Sequence, residues 1–302
     1  MADFEGLFPA IITPMSRDTG KLNEAAFREV MEFNIQAGVH GFWVAGGTGE
    51  SIFLDDEENM RIAEIAADQS KGRIKNIMHV GAPTTERAVA LAANAARAGV
   101  EAICCVPPFF YRQSDEAIVE HYRAVGEAAN LPLFVYNLPQ STGVEITPEL
   151  MLKIQDGVPQ LKGLKHSAPT FPNVRAFANM GLDCFIGSSL LMLPAMTIGA
   201  VGCVDGPPNF APNLWLEIWD AYNAGDIKRA EVAQEKASEA TMLVREFGLH
   251  PTAKAILSER LGIDCGDPRA PGQPLTVEQR ATVLRRAEEM GILHVAVAQG
   301  DD

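Results

Sequence analysis

The sequence predicts an α/β protein, namely a parallel (β/α)8 TIM barrel with a C-terminal helical extension. Eight short apolar runs alternate with longer amphipathic stretches at a repeat of roughly 25–35 residues. Most of these runs are apolar at successive positions, which is typical of strands buried on both faces of a parallel sheet. The alternative is an open doubly wound sheet, but no Gly-x-Gly-x-x-Gly follows the first run.

The strands are short and lie between stretches with helix-start signals. Asp55 and Glu58 have capping-box spacing, and Ser114 and Thr147 each precede a first helical turn, with Pro148 at the first helical position after Thr147. The predicted strands cover residues 7–13, 39–45, 76–80, 102–106, 133–137, 161–166, 183–187 and 202–205.

Helices continue after the eighth strand, over residues 209–223, 226–247, 251–261 and 276–290. The first of them is able to close the barrel, and Thr276 with Gln279 again has capping-box spacing. We therefore expect a barrel domain over residues 1–225 that carries the site, and a helical extension over residues 226–302 packed on it.

Composition excludes several classes of protein. The formal net charge of −14 disfavours nucleic acid as a partner. We expect no membrane segment, because no apolar run is long enough to cross a bilayer, and we expect a cytoplasmic location, because the N-terminus lacks signal-peptide features. The five cysteines have no disulfide or zinc spacing, and no two histidines have metal-ligand spacing, so we expect buried thiols and no metal.

Lys165 is the most informative residue for chemistry. In a barrel the active site lies at the carboxyl ends of the strands. Alternation along strand six puts Lys165 and Lys162 on opposite faces, and Lys165 is the one at the catalytic end. Burial disfavours the charged amine, and a neutral amine attacks a ketone to give an imine, an electron sink for carbon–carbon cleavage. The alternative is a surface lysine at a strand end.

Other strand ends supply candidate partners for this lysine. Tyr136 ends the neighbouring strand, about 4.8 Å away, where its hydroxyl could pass protons; it is alternatively a core tyrosine. The 46–50 loop after strand two offers backbone N–H groups and the Thr48 hydroxyl to an anion. Glu50 in that loop contacts substrate or caps the loop. Ser167, Gly187, Val204 and Asp205, at the ends of strands six to eight, are further substrate-binding candidates.

At these residues the sequence resembles the dihydrodipicolinate synthase/N-acetylneuraminate lyase family of class I aldolases. The resemblance covers nearly the whole chain. It is carried by residues 6–14, 47–51, 136–139 with 142–143, 163–165 and 199–202, and in the tail by Pro251, Lys254, Gly262, Arg269, Pro271, Pro274 and Leu275.

The resemblance implies a barrel that is often a tetramer. It implies that Lys165 forms the imine, that Tyr136 transfers protons, and that Gly47 and Thr48 hold the carboxylate of a pyruvate-like group. It implies no cofactor, because the lysine itself supplies the electron sink. The expected partners are a small 2-keto acid and other copies of the chain, as a dimer or tetramer.

Departures from the family pattern bear on the second half of the substrate. Ser141 replaces the arginine with which dihydrodipicolinate synthases bind a carboxylate. Phe110, next to Tyr111, replaces their tyrosine from a neighbouring subunit, so these two aromatic residues are expected at a subunit interface or in the pocket. Ser189 and Leu190 replace the Asp-Glu pair of sialic acid lyases.

The family usually has Ser or Thr at the position of Gly47. With glycine there, the sequence of the 46–50 loop resembles that of the family's sugar-acid dehydratases. Asp205 is unusual for the synthases and the lyases, and it either contacts substrate or caps the next loop.

We therefore expect a Schiff-base lyase or aldolase that cleaves or condenses a pyruvate-derived 2-keto acid on Lys165. The first alternative is a dehydratase for a 3-deoxy-2-keto sugar acid that uses the same imine. The second is a 4-hydroxy-tetrahydrodipicolinate synthase. The alternative from another class is a non-catalytic barrel that binds a small acid.

Overall fold

A computed structural model of the protein describes residues 4–293. Within this range the chain alternates eight strands with helices in the predicted order. The strands are β1 (Gly6–Leu7), β2 (Gly41–Val44), β3 (Lys75–His79), β4 (Ala102–Cys105), β5 (Leu133–Asn137), β6 (Leu161–His166), β7 (Asp183–Ile186) and β8 (Gly202–Cys203). The helices are α1 (Glu24–Gln36), α2 (Asp56–Ser70), α3 (Thr85–Ala98), α4 (Asp115–Ala129), α5 (Pro139–Thr142), α6 (Pro148–Gly157), α7 (Asn173–Asn179), α8 (Met192–Thr197), α9 (Pro212–Asn223), α10 (Ile227–Phe247), α11 (Leu249–Leu261) and α12 (Val277–Glu289).

The strands form one parallel sheet that curls into a barrel. Their order is β1-β8-β7-β6-β5-β4-β3-β2. A parallel bridge between Ala10 and Trp43 joins the two ends. There the Trp43 amide donates to the Pro9 carbonyl at 3.0 Å, and the Ile11 amide donates to the Trp43 carbonyl at 3.1 Å. The predicted (β/α)8 barrel is confirmed.

The first strand is shorter than predicted. Strands five and six have the predicted bounds, whereas β1 covers only two residues of ladder. After β1 the Phe8 amide still donates to the Cys203 carbonyl at 2.9 Å, but Pro9 has no N–H to donate, so Pro9 takes part only through its carbonyl. Beyond it the chain is held by isolated bonds such as Ala10 N–H to the Asp205 carbonyl, 2.9 Å.

Both faces of the strands are buried, in two separate clusters. The larger cluster fills the space between the barrel and its helices. The smaller is rich in aromatic rings and fills the barrel interior. This explains why the strands are apolar at successive positions. The interior cluster consists of Phe4, Phe8, Ala10, Trp43, Ile77, Ala102, Cys104, Val106, Phe134, Tyr136, Phe185 and Val204.

The predicted helix starts are also found. Asp55 with Glu58, and Thr276 with Gln279, form reciprocal capping boxes, and the Ser114 and Thr147 side chains accept from backbone amides of the first turn. The extension begins with α10, which packs along α9. Its division from the barrel at residue 225 stays a prediction, and its predicted portion after residue 293 lies outside the described residues. Across residues 4–293, no helix combines the length and apolarity that a bilayer crossing requires.

Candidate active site

The structure places Lys165 inside the barrel, towards the carboxyl end of β6. Lys165 lies in register with Tyr136 of β5 and Phe185 of β7 and is 3% exposed. Its Nζ lies 4.5 Å from the ring centre of Tyr136 and 5.5 Å from that of Trp43. Within the described part of the chain Lys165 takes part in no ion pair, whereas Lys162, on the other face, pairs with a carboxylate.

Tyr136 stands beside this lysine and is 6% exposed. Its ring is nearly perpendicular to those of Trp43 and His79, at centroid distances of 5.8 and 6.2 Å. A Cβ added to Gly47 would lie 3.7 Å from the Tyr136 hydroxyl oxygen, so the 46–50 loop comes close to that hydroxyl. The imine candidate, the proton-transfer candidate and the anion-binding loop are therefore neighbours.

A cavity of about 170 Å³ opens beside Tyr136 at the carboxyl ends of β2 to β5. Lys165 does not line it directly but lies against the tyrosine ring. The lining residues are Gly47, Ser51, Ile52, His79, Val106, Phe109, Tyr136, Leu138, Ser141 and Thr142. A larger open cleft of about 580 Å³ lies between α2 and α3 on the outside of the barrel, away from the strand ends where barrel enzymes carry their chemistry.

The 46–50 loop is held in an unusual backbone conformation. Ala45, just before the loop, and Glu50, its last residue, have φ values of 51° and 59°, in the left-handed region that costs energy for residues with a Cβ. Thr48 is buried, with its hydroxyl close to Gly206 of the β8 loop. His250 Nε2 donates to the Gly47 carbonyl at 2.9 Å. The loop is thus fixed before any ligand arrives.

The C-terminal extension holds this loop in place. Lys254 of α11 forms an ion pair with Glu50 at 2.6 Å, and both side chains are 1% exposed. The other Glu50 oxygen accepts from the Arg269 backbone amide at 2.7 Å. Burial lowers the pKa of Lys254 and the Glu50 carboxylate opposes that shift. Among the roles left open for Glu50, these contacts support the structural one.

The remaining candidates on strands six to eight differ in what they contact. The Ser167 hydroxyl is buried, with no hydrogen-bond partner within residues 4–293. Gly187 leaves room for it, because a Cβ there would collide with the hydroxyl oxygen. Val204 belongs to the interior cluster. Asp205 accepts from the Ser189 and Gly206 backbone amides at 2.7 and 2.8 Å, so its carboxylate caps the β7 and β8 loops.

The loop after β4 carries two solvent-exposed aromatic side chains. Phe110 is 85% exposed and Tyr111 72% exposed, and their rings meet edge-on at 4.9 Å. Phe110 also has a φ of 79°. Neither residue lines the cavity beside Tyr136, and their place at a subunit interface stays a prediction.

The positions where the sequence departs from dihydrodipicolinate synthases and sialic acid lyases differ in whether they reach the cavity. Ser141 lines the cavity from α5. Ser189 is fully buried behind the site, where its carbonyl accepts from Trp215 and Gln234. Leu190 follows it in the same turn. Ser141 therefore reaches the cavity, as does Gly47, whereas Ser189 and Leu190 do not line it.

His79 is a site residue that the sequence analysis did not single out. It ends β3, is 3% exposed and lines the cavity. Burial first, and the charge of Lys165 second, lower its pKa to about 4, so the ring is neutral at neutral pH. Its Nε2 has no hydrogen-bond partner among the described residues. The strand-end rule, applied to strand three, would have found it.

Other reactive groups do not form a second centre. No cluster of three or more His, Cys, Asp or Glu side chains within residues 4–293 is placed to hold a metal ion. All five cysteines are free and buried, as expected. Burial raises the pKa of the Cys104 thiol inside the barrel and of the Cys203 thiol on the helical side of the sheet, which keeps both protonated and unreactive.

Comparison with known proteins agrees with this geometry. The sequence model of the Dihydrodipicolinate synthetase family matches residues 3–290. This chain belongs to the dihydrodipicolinate synthetase family. It is 31% identical to a 4-hydroxy-tetrahydrodipicolinate synthase of Methanopyrus kandleri, over 96% of this chain and 97% of that protein. It is also 31% identical to an uncharacterized DapA-like lyase of Halobacterium salinarum, over 95% and 94% of the two chains.

Solved structures of the dihydrodipicolinate synthetase family share the fold. A catalytic lysine mutant of the sialic acid aldolase of Ruminococcus gnavus superimposes with a TM-score of 0.91 and 25% identity, covering 96% of this chain and 97% of that one. The predicted family and the predicted class of enzyme, a lyase of the aldolase type, are confirmed.

Proposed function

We propose that this lyase cleaves or forms a carbon–carbon bond in a pyruvate-derived 2-keto acid through an imine on Lys165. The observation that carries the proposal is a buried lysine at a barrel strand end, with no carboxylate partner in the described chain and an adjacent tyrosine. An aldolase of the same family has a catalytic lysine, which supports a lysine nucleophile here.

The chemistry follows from a neutral amine. Lys165 Nζ attacks the ketone carbon to give a carbinolamine, and loss of water gives the imine. In the cleavage direction, the bond between C3 and C4 breaks, its electron pair moves towards the imine nitrogen, and the C4 hydroxyl loses its proton as the aldehyde leaves. The resulting enamine takes up a proton at C3, and water releases pyruvate and the amine. Condensation is the same sequence in reverse.

Tyr136 is proposed as the group that moves these protons. The Tyr136 ring contacts Lys165, and its hydroxyl faces the 46–50 loop. The hydroxyl can therefore reach both the carbinolamine and the departing oxygen. Thr48 and the amides of the Gly47–Thr48 segment are proposed to bind the carboxylate. Because the protein carries a net charge of −14, that local donor set has to supply the attraction for an anion.

The second candidate is the condensation named in the relative from Methanopyrus kandleri, 4-hydroxy-tetrahydrodipicolinate synthase. It uses the same imine and differs in the aldehyde. The lining of the cavity opposes it, because Ser141 stands where the resembling synthases carry an arginine, and no Lys or Arg lines the cavity.

Assembly and location are part of the proposal. The exposed pair Phe110 and Tyr111 supports a homo-oligomer, a dimer or tetramer, that covers the β4 loop. Exclusion of nucleic acid and of membranes, absence of a cofactor and a cytoplasmic location stay predictions.

The direct test is mass spectrometry of the intact protein after borohydride reduction with pyruvate. Wild type is expected to gain one reduced pyruvate adduct, and Lys165→Ala none. Lys162→Ala, on the opposite face of the same strand, is the matched control and should still be labelled. If wild type is unlabelled by pyruvate and by longer 2-keto acids, the imine mechanism is wrong and a binding role is favoured.

A further inference from the structure

We propose that the cavity beside Tyr136 receives the carbonyl half of the substrate as a short, uncharged and largely apolar aldehyde. This inference rests on the proposed function, because it concerns the molecule that the imine on Lys165 releases or accepts. It goes further by assigning a chemical class to that molecule from the walls of the cavity.

The cavity offers no countercharge. None of its ten lining residues is Asp, Glu, Lys or Arg. The imidazole of His79 is neutral at neutral pH, because burial and the nearby Lys165 charge lower its pKa to about 4. A carboxylated aldehyde would therefore lose hydration on entry without meeting a countercharge, which disfavours its binding.

The cavity also offers few hydrogen-bonding groups. The Thr142 hydroxyl bonds to the backbone of its own loop, through the Leu138 carbonyl at 3.0 Å and the Val144 carbonyl and amide at 3.1 and 3.2 Å. Besides Tyr136 and His79, the Ser51 and Ser141 hydroxyls remain. Each hydroxyl of a polyhydroxylated aldehyde needs a partner of its own among these few groups, whereas an apolar chain needs none, and unpaired buried polar groups weaken binding.

The apolar walls are fixed by the barrel itself. Val106 belongs to the interior cluster, and Phe109 and Leu138 pack against it. Ile52 lines the side next to the 46–50 loop. The volume of about 170 Å³ corresponds to roughly six water molecules, which limits the aldehyde to a short chain.

The test compares three four-carbon aldehydes, each condensed with pyruvate: butyraldehyde, succinic semialdehyde and erythrose. Chain length is constant, and only the charge and the hydroxyl groups change. In each reaction C3 of pyruvate bonds to the aldehyde carbon, the aldehyde oxygen becomes a hydroxyl, and water frees the lysine. The kcat/KM for butyraldehyde is expected to exceed the other two at least tenfold. Equal or higher values for either polar aldehyde, or turnover of none of the three, would overturn the proposal.

Two variants at one position test the charge argument. Ser141→Arg introduces a cation at the cavity wall, and Ser141→Gln introduces a long side chain without charge. Relative to Ser141→Gln, Ser141→Arg is expected to raise kcat/KM for succinic semialdehyde at least tenfold, and to raise the ratio of that value to the kcat/KM for butyraldehyde by a similar factor. If the two variants have the same kcat/KM for succinic semialdehyde, the lack of a cation in the cavity does not set the substrate preference, and the inference fails.

Borohydride trapping with pyruvate alone separates this inference from the proposed function. An adduct on wild type together with a preference for a charged or polyhydroxylated aldehyde overturns the aldehyde class and leaves the imine intact. Absence of the adduct overturns both.

Discussion

Two buried lysines in this protein have opposite surroundings. Lys165 is 3% exposed and lies against the rings of Tyr136 and Trp43, without an ion pair in the described chain. Lys254 is 1% exposed and is neutralised by Glu50 at 2.6 Å. A buried ammonium paired with a carboxylate serves structure, because removal of either partner strands a charge. The two lysines are alike in burial and differ in their partners, and this difference is the basis for proposing different roles for them.

The same substitution at the two sites should break different properties. Lys165→Met is expected to lower kcat/KM by about 10³-fold or more, because the nucleophile is gone. Its free energy of unfolding in urea should stay within about 1 kcal/mol of wild type or rise, since an apolar side chain of similar volume replaces an unpaired amine. A loss of several kcal/mol would assign Lys165 a structural role.

Tyr136→Phe tests whether the hydroxyl beside Lys165 moves protons. The variant keeps the ring contact with the lysine and removes only the hydroxyl. We therefore expect a loss of about 10²–10⁴-fold in kcat, because proton transfer is lost, and slower borohydride labelling. Tyr122→Phe is the matched control. Its hydroxyl donates to the Cys105 carbonyl at 3.2 Å on the helical side of the sheet, so its loss should cost about 1 kcal/mol of stability and little activity. Equal kinetic effects in the two variants would contradict the assignment.

Lys254→Met should act on folding. It leaves the buried Glu50 carboxylate without its cation, so the expected loss is about 3–5 kcal/mol in the free energy of unfolding. Adding Glu50→Gln removes the stranded charge and is expected to recover more than half of that loss. A single variant as stable as wild type would mean that the pair contributes little to holding the loop.

These two lysines also show what the sequence can predict. The placement of Lys165 beside Tyr136 could be predicted because strand alternation and the strand-end rule are local, and both residues lie near the ends of strands whose bounds were predicted correctly. Their catalytic roles stay a prediction. Glu50 and Lys254 are 204 positions apart, and no local pattern relates them. Asp205 was left open between two roles, and the amides of Ser189 and Gly206, which no local pattern identifies as its partners, support the capping role.

The pH dependence of the free energy of unfolding should report on the burial of His79, the cavity residue whose pKa is also lowered by the charge of Lys165. The pKa of His79 is about 4 in the folded protein, against about 6.5 for an unperturbed histidine. From pH 6.5 down to about 4 the unfolded chain binds a proton that the folded protein does not, so stability falls by up to ~3 kcal/mol. His121, also with a pKa of about 4, adds to the same fall. His79→Gln should therefore flatten the profile only in part, and an unchanged profile would place His79 in a wetter environment.

The smallest expected effect is a change in KM, and it concerns how the C-terminal extension positions the 46–50 loop. The Gly47 carbonyl and the Thr48 amide belong to one peptide plane, so the hydrogen bond from His250 to the carbonyl also fixes the direction of the amide. His250→Ala is expected to raise KM for pyruvate about fivefold, equivalent to ~1 kcal/mol for one hydrogen bond, with kcat unchanged. His250→Gln keeps an N–H donor and should restore most of the affinity. If the alanine and glutamine variants have the same KM, the imidazole fills space and does not orient the loop. If kcat falls instead, the loop acts after binding, and the division between a chemical lysine and a structural extension has to be redrawn.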